Sequence, residues 1–377
     1  MGFGRRKIIN PPAREVSERT VLRVLTSLPD GLLTAGPREL HKLLGGPTLI
    51  HLPGRHARPL FASVLLHGNE TAGFEAAQTV LRKYAPGGGN RPLPRSLSLF
   101  IGNVAAAEKG LRRLEDQPDF NRIWPGAESG GTPEHAVMAQ VLAEMQARNV
   151  FASIDLHQNT GINPHYGCVN RLQPAYLHLA RLFSRTVVYF RKPKGVQSMA
   201  FGEICPAVTL ECGRVGETPG VAHAAEFFDA CLHLTQFPER APEPRDIDLL
   251  HTVAIVKVPR ETSFSFEDEA VDLRFVEGLD RLNFTELPVG SVLAFRGSDV
   301  AAGLEVFNEQ GSDVTGEYFD QANGVIRTRV ALTPSMLTRD ATVIRQDCFC
   351  YLMERVPFEQ TRAYRELQAA PLAVLQD

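Results

Sequence analysis

Two histidines and a glutamate stand where apolar runs of the chain stop, and their side chains suit a metal ion. His67 follows the run FASVLL, Glu70 comes three residues later, and His157 follows FASIDL. Two imidazoles and one carboxylate, with a fourth position open to water, are a common ligand set of catalytic zinc sites. The spacing also fits an ordinary alternative, because a histidine and a glutamate three residues apart occur often by chance in surface loops.

The segments around these residues predict an α/β sheet. Between about residues 60 and 235, short apolar runs alternate with longer segments of helical periodicity, which favours parallel strands joined by helices. The predicted strands are LFASVLL, RSLSLFI, VFASIDL, TVVYF and AVTLEC. The predicted helices are ETAGFEAAQTVLRKY, PEHAVMAQVLAEMQARN, PAYLHLARLFSR and VAHAAEFFDACLHLT. Ligands of such sheets bind beyond the carboxyl ends of the strands, where His67 and His157 stand.

A proline-rich polar segment, QFPERAPEPRDID, separates this region from the rest of the chain and is typical of a stiff linker. Beyond it lie β-rich runs such as HTVAIVKV, SVLAF and CFCYLMERV, with little helix before EQTRAYRELQ near the end. We therefore predict an α/β domain at 1–237, a linker at 238–247 and a β-rich domain at 248–377.

Composition and charge argue against several classes of partner. Lys and Arg number 40 against 43 Asp and Glu, so no overall charge favours nucleic acid or an anionic membrane. No run approaches the roughly 20 apolar residues that span a bilayer, and the first residues lack the apolar core of a signal peptide. The six cysteines lack the spacing of a disulfide scaffold, so we expect a reducing cytoplasm. We expect a small-molecule substrate; composition leaves open whether the chain forms a homo-oligomer.

Four motifs, in order along the chain, carry a resemblance to a known family. They are HGNE (67–70), NRIW (121–124), DLHQNTG (155–161) and TLECG (209–213). Together they resemble the succinylglutamate desuccinylase and aspartoacylase family of zinc amidohydrolases, relatives of the zinc carboxypeptidases. After the linker, LNFTELPVGSVLA (282–294) resembles the β domain of the desuccinylase branch. The resemblance implies a zinc-carboxypeptidase-like, mostly parallel mixed sheet flanked by helices and followed by a smaller all-β domain.

The resemblance also implies roles for individual residues. His67, Glu70 and His157 would bind one zinc ion per chain, and Glu211 in TLECG would be the general base that takes a proton from zinc-activated water. The implied reaction is hydrolysis of the amide bond of an N-acyl amino acid, such as succinylglutamate or an acylaspartate. Without the resemblance to this family, the sequence alone favours a solvated carboxylate at a strand end for Glu211. Asp155, two residues before His157 on the same strand face, is a candidate for orienting that imidazole.

Aligning the family's arginine-containing segment from Asn103 places the oxyanion-stabilising arginine at Arg112, with Arg113 as the alternative. Asn121 and Arg122 would hold a substrate carboxylate, the arginine through paired hydrogen bonds. The alignment is open at this point because Val104 replaces the usual proline and additional residues precede Asn121.

A basic residue that the aspartoacylase branch carries shortly before its catalytic glutamate is missing from MAFGEICPAVTLE. Arg191, Lys192 and Lys194 lie farther upstream, and Arg214 could substitute, so the acyl group of known members is not transferable. Two other functions stay open. The chain could be a metallocarboxypeptidase acting on peptides, or a catalytically silent member that binds a metal or ligand. Retention of Glu211 argues against the silent member, because a binder needs no proton shuttle.

Overall fold

The structure, a computed structural model, describes residues 21–85, 91–268, 270–297, 303–357 and 359. The strands of this part of the chain are β1 (Arg23–Leu25), β2 (Thr48–Leu52), β3 (Gly54–Val64), β4 (Leu93–Ile101), β5 (Ala152–Asn159), β6 (Tyr166–Val169), β7 (Thr186–Tyr189), β8 (Ala207–Arg214), β9 (Asp248–Lys257), β10 (Phe264–Ser265), β11 (Leu273–Phe275), β12 (Val292–Arg296), β13 (Glu305–Asn308), β14 (Phe319–Asp320), β15 (Val325–Thr328), β16 (Thr333–Ser335) and β17 (Cys350–Arg355). The α-helices are α1 (Leu40–Leu44), α2 (Ala72–Arg82), α3 (Val104–Lys109), α4 (Pro133–Ala147), α5 (Pro174–Phe183), α6 (Gln197–Phe201), α7 (Pro219–His233), α8 (Thr315–Tyr318) and α9 (Ala341–Gln346).

Most strands join one mixed sheet, which confirms the predicted α/β fold. Its order is β1-β2-β4-β3-β5-β8-β6-β7-β9-β17-β16, and β13 also pairs with β9. The central strands β4, β3, β5 and β8 are mutually parallel, as the alternation of strands and helices predicted. Strands β2 and β6 were not predicted, and they run antiparallel to β4 and β8. All five strands and four helices predicted between residues 60 and 235 are present.

The centre of the sheet is apolar because helices cover both of its faces. Alternation along β3 sends successive side chains to opposite sides, so Phe61 and Ala62 belong to different core clusters. The Ala62 side packs with residues of α2, α5 and α7. The Phe61 side packs with residues of α4 and α6 and with Trp124. Every residue of β5 is buried, including the polar ones near its carboxyl end.

The C-terminal part both extends the main sheet and forms a second one. Strand β9 pairs in parallel with β7, and β17 pairs antiparallel with β9. The second sheet has five strands in the order β10-β11-β12-β15-β14, and its apolar residues share one cluster with residues of β9, β13 and β17 of the main sheet. The predicted division into two domains at a linker, 238–247, stays a prediction. Strand β9, which follows this linker, pairs with β7 in the main sheet. The predicted helix at 359–368 lies outside the described residues apart from 359.

The cysteines and the helices were checked for disulfides and for membrane spans. All six cysteines are buried and none forms a disulfide. In the described residues, no helix combines the length and the apolar composition needed to cross a bilayer.

Candidate active site

Two chain segments bring the predicted ligands to one edge of the main sheet. His67 and Glu70 lie in the short connection from β3 to α2, and His157 lies near the carboxyl end of β5. The Glu70 N–H donates to the His67 carbonyl oxygen at 3.2 Å, which closes the connection into a turn. Gly68 is required in this turn, because a Cβ there would lie 2.2 Å from the Ala107 nitrogen. Because Gly68 has no Cβ, α3 can approach the turn closely.

The two imidazoles meet the same carboxylate. His67 Nδ1 lies 2.7 Å from Glu70 Oε1, and His157 Nδ1 lies 2.8 Å from Glu70 Oε2. One ligand atom from each of the three buried residues lies within 4.8 Å of the others. Two nitrogen donors and a carboxylate that lie this close together fit a zinc ion. The structure thus brings together the three residues predicted as ligands.

A second carboxylate stands behind each imidazole. His67 Nε2 lies 3.0 Å from Asp119 Oδ1, and His157 Nε2 lies 2.7 Å from Asp155 Oδ2. Asp155 is itself held by Ser63, whose hydroxyl donates at 2.6 Å. An Nε2–H that donates to a carboxylate leaves Nδ1 to bind a metal and fixes the ring. Asp155 is placed as predicted, whereas Asp119 was missed because it lies in a loop with no strand pattern.

The charges of this cluster are strongly coupled. Burial by itself would raise the pKa of Glu70, but His67 and His157 lower it below its ordinary value. Burial would lower the pKa of His157, but Asp155 and Glu70 raise it well above 6.5. The site is therefore built to hold a concentrated positive charge between carboxylates, either protons or a metal ion.

Glu211 lies next to the predicted ligands. It is the register partner of His157, on the neighbouring strand β8, and it is buried. Asn159 Nδ2 donates to Glu211 Oε2 at a long 3.4 Å. Burial raises the pKa of Glu211 to about 7. A carboxyl group whose pKa lies near neutrality can both accept and return a proton, which suits a general base.

Of the two candidate arginines, Arg112 lies in the site. Its Nη2 donates to Asp119 Oδ2 at 3.0 Å, and its Nη1 donates to Glu70 Oε1 at 3.4 Å. Arg113 instead donates to the carbonyl oxygen of Gln117 at 2.9 Å and does not line the cleft. The geometry therefore favours Arg112 over Arg113 as the candidate for the oxyanion-stabilising arginine. The role itself stays a prediction.

Asn121 and Arg122 have partners within the protein. The Asn121 amide nitrogen donates to Asp155 Oδ2 at 3.4 Å, and its oxygen accepts from the Gln197 N–H at 2.8 Å. Arg122 Nη2 donates to Asp347 Oδ1 and Oδ2 at 3.0 and 3.2 Å. Asp347, which follows α9, was missed because its partner lies 225 residues earlier in the chain. The predicted binding of a substrate carboxylate by Asn121 and Arg122 remains a prediction.

One cleft is lined by the three predicted ligands together with Glu211, Arg112, Asn121, Arg122 and Asp347. Much of the remaining lining is apolar. We call this part the apolar wall; its residues are Tyr166, Val188, Phe190, Val196, Met336 and Val343. Lys192 lines the cleft, whereas Arg214, the predicted substitute for the missing basic residue, is exposed and does not.

Comparison with known proteins agrees with this geometry. Residues 60–230 match the sequence model of the succinylglutamate desuccinylase/aspartoacylase catalytic domain. Succinylglutamate desuccinylase of Pseudomonas aeruginosa strain LESB58 is 28% identical over 327 residues, which are 81% of this chain and 93% of that protein. The enzyme of the same name from Serratia proteamaculans strain 568 is 27% identical over 257 residues, or 64% of this chain and 75% of that protein.

Two solved structures share the fold. The succinylglutamate desuccinylase/aspartoacylase of Rhodobacter sphaeroides superposes with a TM-score of 0.51 at 16% identity, over 81% of this chain and 88% of that one. Murine aminoacylase 3 gives a TM-score of 0.51 at 16% identity, over 80% of this chain and 96% of that one. With its four motifs and this sheet, the chain carries at residues 60–230 a domain that matches the catalytic domain of the succinylglutamate desuccinylase/aspartoacylase family, and this similarity supports a hydrolase that acts on amide bonds.

Proposed function

We propose that the protein is a zinc-dependent deacylase that cleaves the amide bond of an N-acyl amino acid into a carboxylic acid and a free amino acid. The observation that carries the proposal is the convergence of His67, Glu70 and His157 beside the buried carboxyl group of Glu211. The family supports the reaction class, and the paired Nδ1 atoms support the metal. The unpaired buried cysteines support a reducing compartment, which we take to be the cytoplasm.

His67, Glu70 and His157 would hold one zinc ion per chain. A zinc ion there supplies a Lewis acid that lowers the pKa of water towards about 7 and polarises the amide carbonyl. Asp119 and Asp155 hold the Nε2 atoms of the two imidazoles, which would leave both Nδ1 atoms free to bind the ion. Their negative charge also makes the rings stronger donors to the metal.

Glu211 would move the proton. Its pKa of about 7 lets the carboxylate accept a proton from the attacking water and then donate it to the nitrogen of the leaving amine. The amide C–N bond breaks as that nitrogen is protonated, so the amino acid leaves as a neutral amine.

Arg112 would stabilise the negative charge that develops on the former carbonyl oxygen. Its guanidinium is fixed in advance by Asp119 and Glu70, so little reorganisation is needed when the charge appears. Asn121 and Arg122 would position the substrate through a carboxylate, and that carboxylate must share Arg122 with Asp347 or displace it.

The proposal is tested with the purified protein, stripped of metal and then restored with zinc. Turnover of N-acyl amino acids is compared with turnover of a blocked dipeptide. We expect zinc-dependent release of a free amino acid from acyl amino acids. Hydrolysis of the blocked dipeptide alone would identify a carboxypeptidase, and zinc binding without turnover of any substrate would identify a silent member.

A further inference from the structure

The arginine predicted to bind the substrate carboxylate already has a carboxylate. Both oxygens of Asp347 lie within 3.2 Å of Arg122 Nη2, and Arg122 Nη1 donates to the Asn121 carbonyl oxygen at 2.9 Å. Burial by itself would raise the pKa of Asp347, but Arg122 and Arg112 lower it below its usual value. Asp347 is therefore ionised and neutralises the guanidinium that faces the cleft.

The other lysine and arginine side chains that line the cleft also have acidic partners, in the part of the chain that the structure describes. Arg112 pairs with Asp119 and Glu70, and Asp347 lies 3.8 Å from it. Lys192 pairs with Glu128, whose side chain is mostly exposed. A substrate that carries several carboxylates would thus meet cations that are already neutralised, which lowers its affinity.

The apolar wall offers the opposite environment in the same cleft. Tyr166 and Val188 are buried members of an apolar cluster against which Phe190 and Met336 pack. Val343 lies on α9 and Asp347 is the residue that follows this helix, so one short segment contributes both to the apolar wall and to the acidic partner of Arg122. An uncharged substituent gains from contact with this surface, whereas a second or third carboxylate would lose its hydration there.

We propose that Asp347 is a specificity-determining residue, which disfavours polyanionic substrates and directs the cleft towards N-acyl amino acids with an uncharged, apolar substituent at the apolar wall. This inference rests on the proposed deacylase function and narrows its substrate class. Succinylglutamate carries three carboxylates, so it is the substrate against which Asp347 discriminates most. An acyl glycine with an alkyl chain carries one carboxylate and matches the cleft better.

The test uses the full-length, zinc-loaded protein with succinylglutamate and hexanoylglycine. Asp347→Asn removes the charge with little change in shape, and Asp347→Ala removes the side-chain contact as well. In both variants we expect the ratio of kcat/KM for succinylglutamate to that for hexanoylglycine to rise at least about tenfold. Asp229→Asn is the matched control, because Asp229 pairs with Lys83 and does not line this cleft. It should leave the ratio unchanged.

Binding of succinate, followed by calorimetry, gives a readout that needs no turnover. We expect both Asp347 variants to bind succinate at least about tenfold more tightly than the wild type. An unchanged ratio together with unchanged succinate binding overturns the role of Asp347 and leaves the deacylase proposal intact. If no substrate is hydrolysed but succinate binding tightens as expected, the deacylase proposal fails while the role of Asp347 in anion exclusion stands.

Discussion

The ligand cluster and the arginine segment share one cleft but are held in place differently. His67, Glu70 and His157 lie at the carboxyl ends of neighbouring strands, and their partners come from the same sheet edge or the adjoining loop. Arg122, in the loop-rich segment before α4, is fixed by Asp347 from the far end of the chain. We therefore expect metal binding to depend mainly on the sheet, and substrate preference to depend on the C-terminal part.

Removal of one predicted metal ligand should have the largest effect and tests the ligand cluster directly. His157→Ala should lose both the metal and nearly all turnover, because two ligands alone bind zinc weakly. Metal analysis and activity measured on the same preparation check this. His56→Ala is the control, since His56 is an exposed histidine on β3, away from the cleft. Full metal retention by His157→Ala, with unchanged thermal stability, would refute the assignment.

Next in size is the loss of the proton acceptor. Glu211→Gln should keep zinc but lower kcat by about 10² to 10⁴, the usual contribution of a positioned acid or base. Glu217→Gln changes an exposed glutamate beyond β8 and should have no effect. Wild-type turnover in Glu211→Gln would mean that another group moves the proton and that Glu211 is only a buried carboxyl at a strand end.

The arginine segment is tested by a neighbouring pair. Arg112→Ala should lower kcat by about 10² or more with a smaller change in KM, because its contact strengthens only as charge develops on the oxygen. Arg113→Ala should leave both constants near wild type, since Arg113 does not line the cleft. If Arg113→Ala alone showed the defect, the arginine assigned to the oxyanion would be wrong by one residue.

The smallest expected effect concerns the carboxylate behind His157. Asp155→Asn should weaken zinc binding by about 10- to 100-fold, because the imidazole loses its charged hydrogen-bond acceptor. Ser63→Ala leaves that carboxylate in place and removes only one donor to it, so its loss should be smaller. Competition with a chelator of known affinity measures both. Equal affinity in Asp155→Asn and the wild type would show that the sheet holds the ring without Asp155.

The sheet and the ligands at its edge could be predicted from the sequence, whereas their partners from distant segments could not. Strand ends are visible as apolar runs that stop at a polar residue, so His67 and His157 and the parallel sheet around them could be predicted. Strand β6 was missed because it spans only Tyr166–Val169 and shows no alternation that distinguishes it from a loop. Asp119 and Asp347 act through tertiary contacts, and a pattern read along the chain carries no signal for such pairs.

The central claim is that the sheet edge holds one catalytic zinc ion. The most direct measurement is anomalous X-ray diffraction at the zinc absorption edge from crystals of the zinc-loaded protein. We expect one strong peak per chain, in contact with His67 Nδ1, a Glu70 carboxylate oxygen and His157 Nδ1 and adjacent to Glu211. A peak bound to other residues, with none between these three side chains, would contradict it.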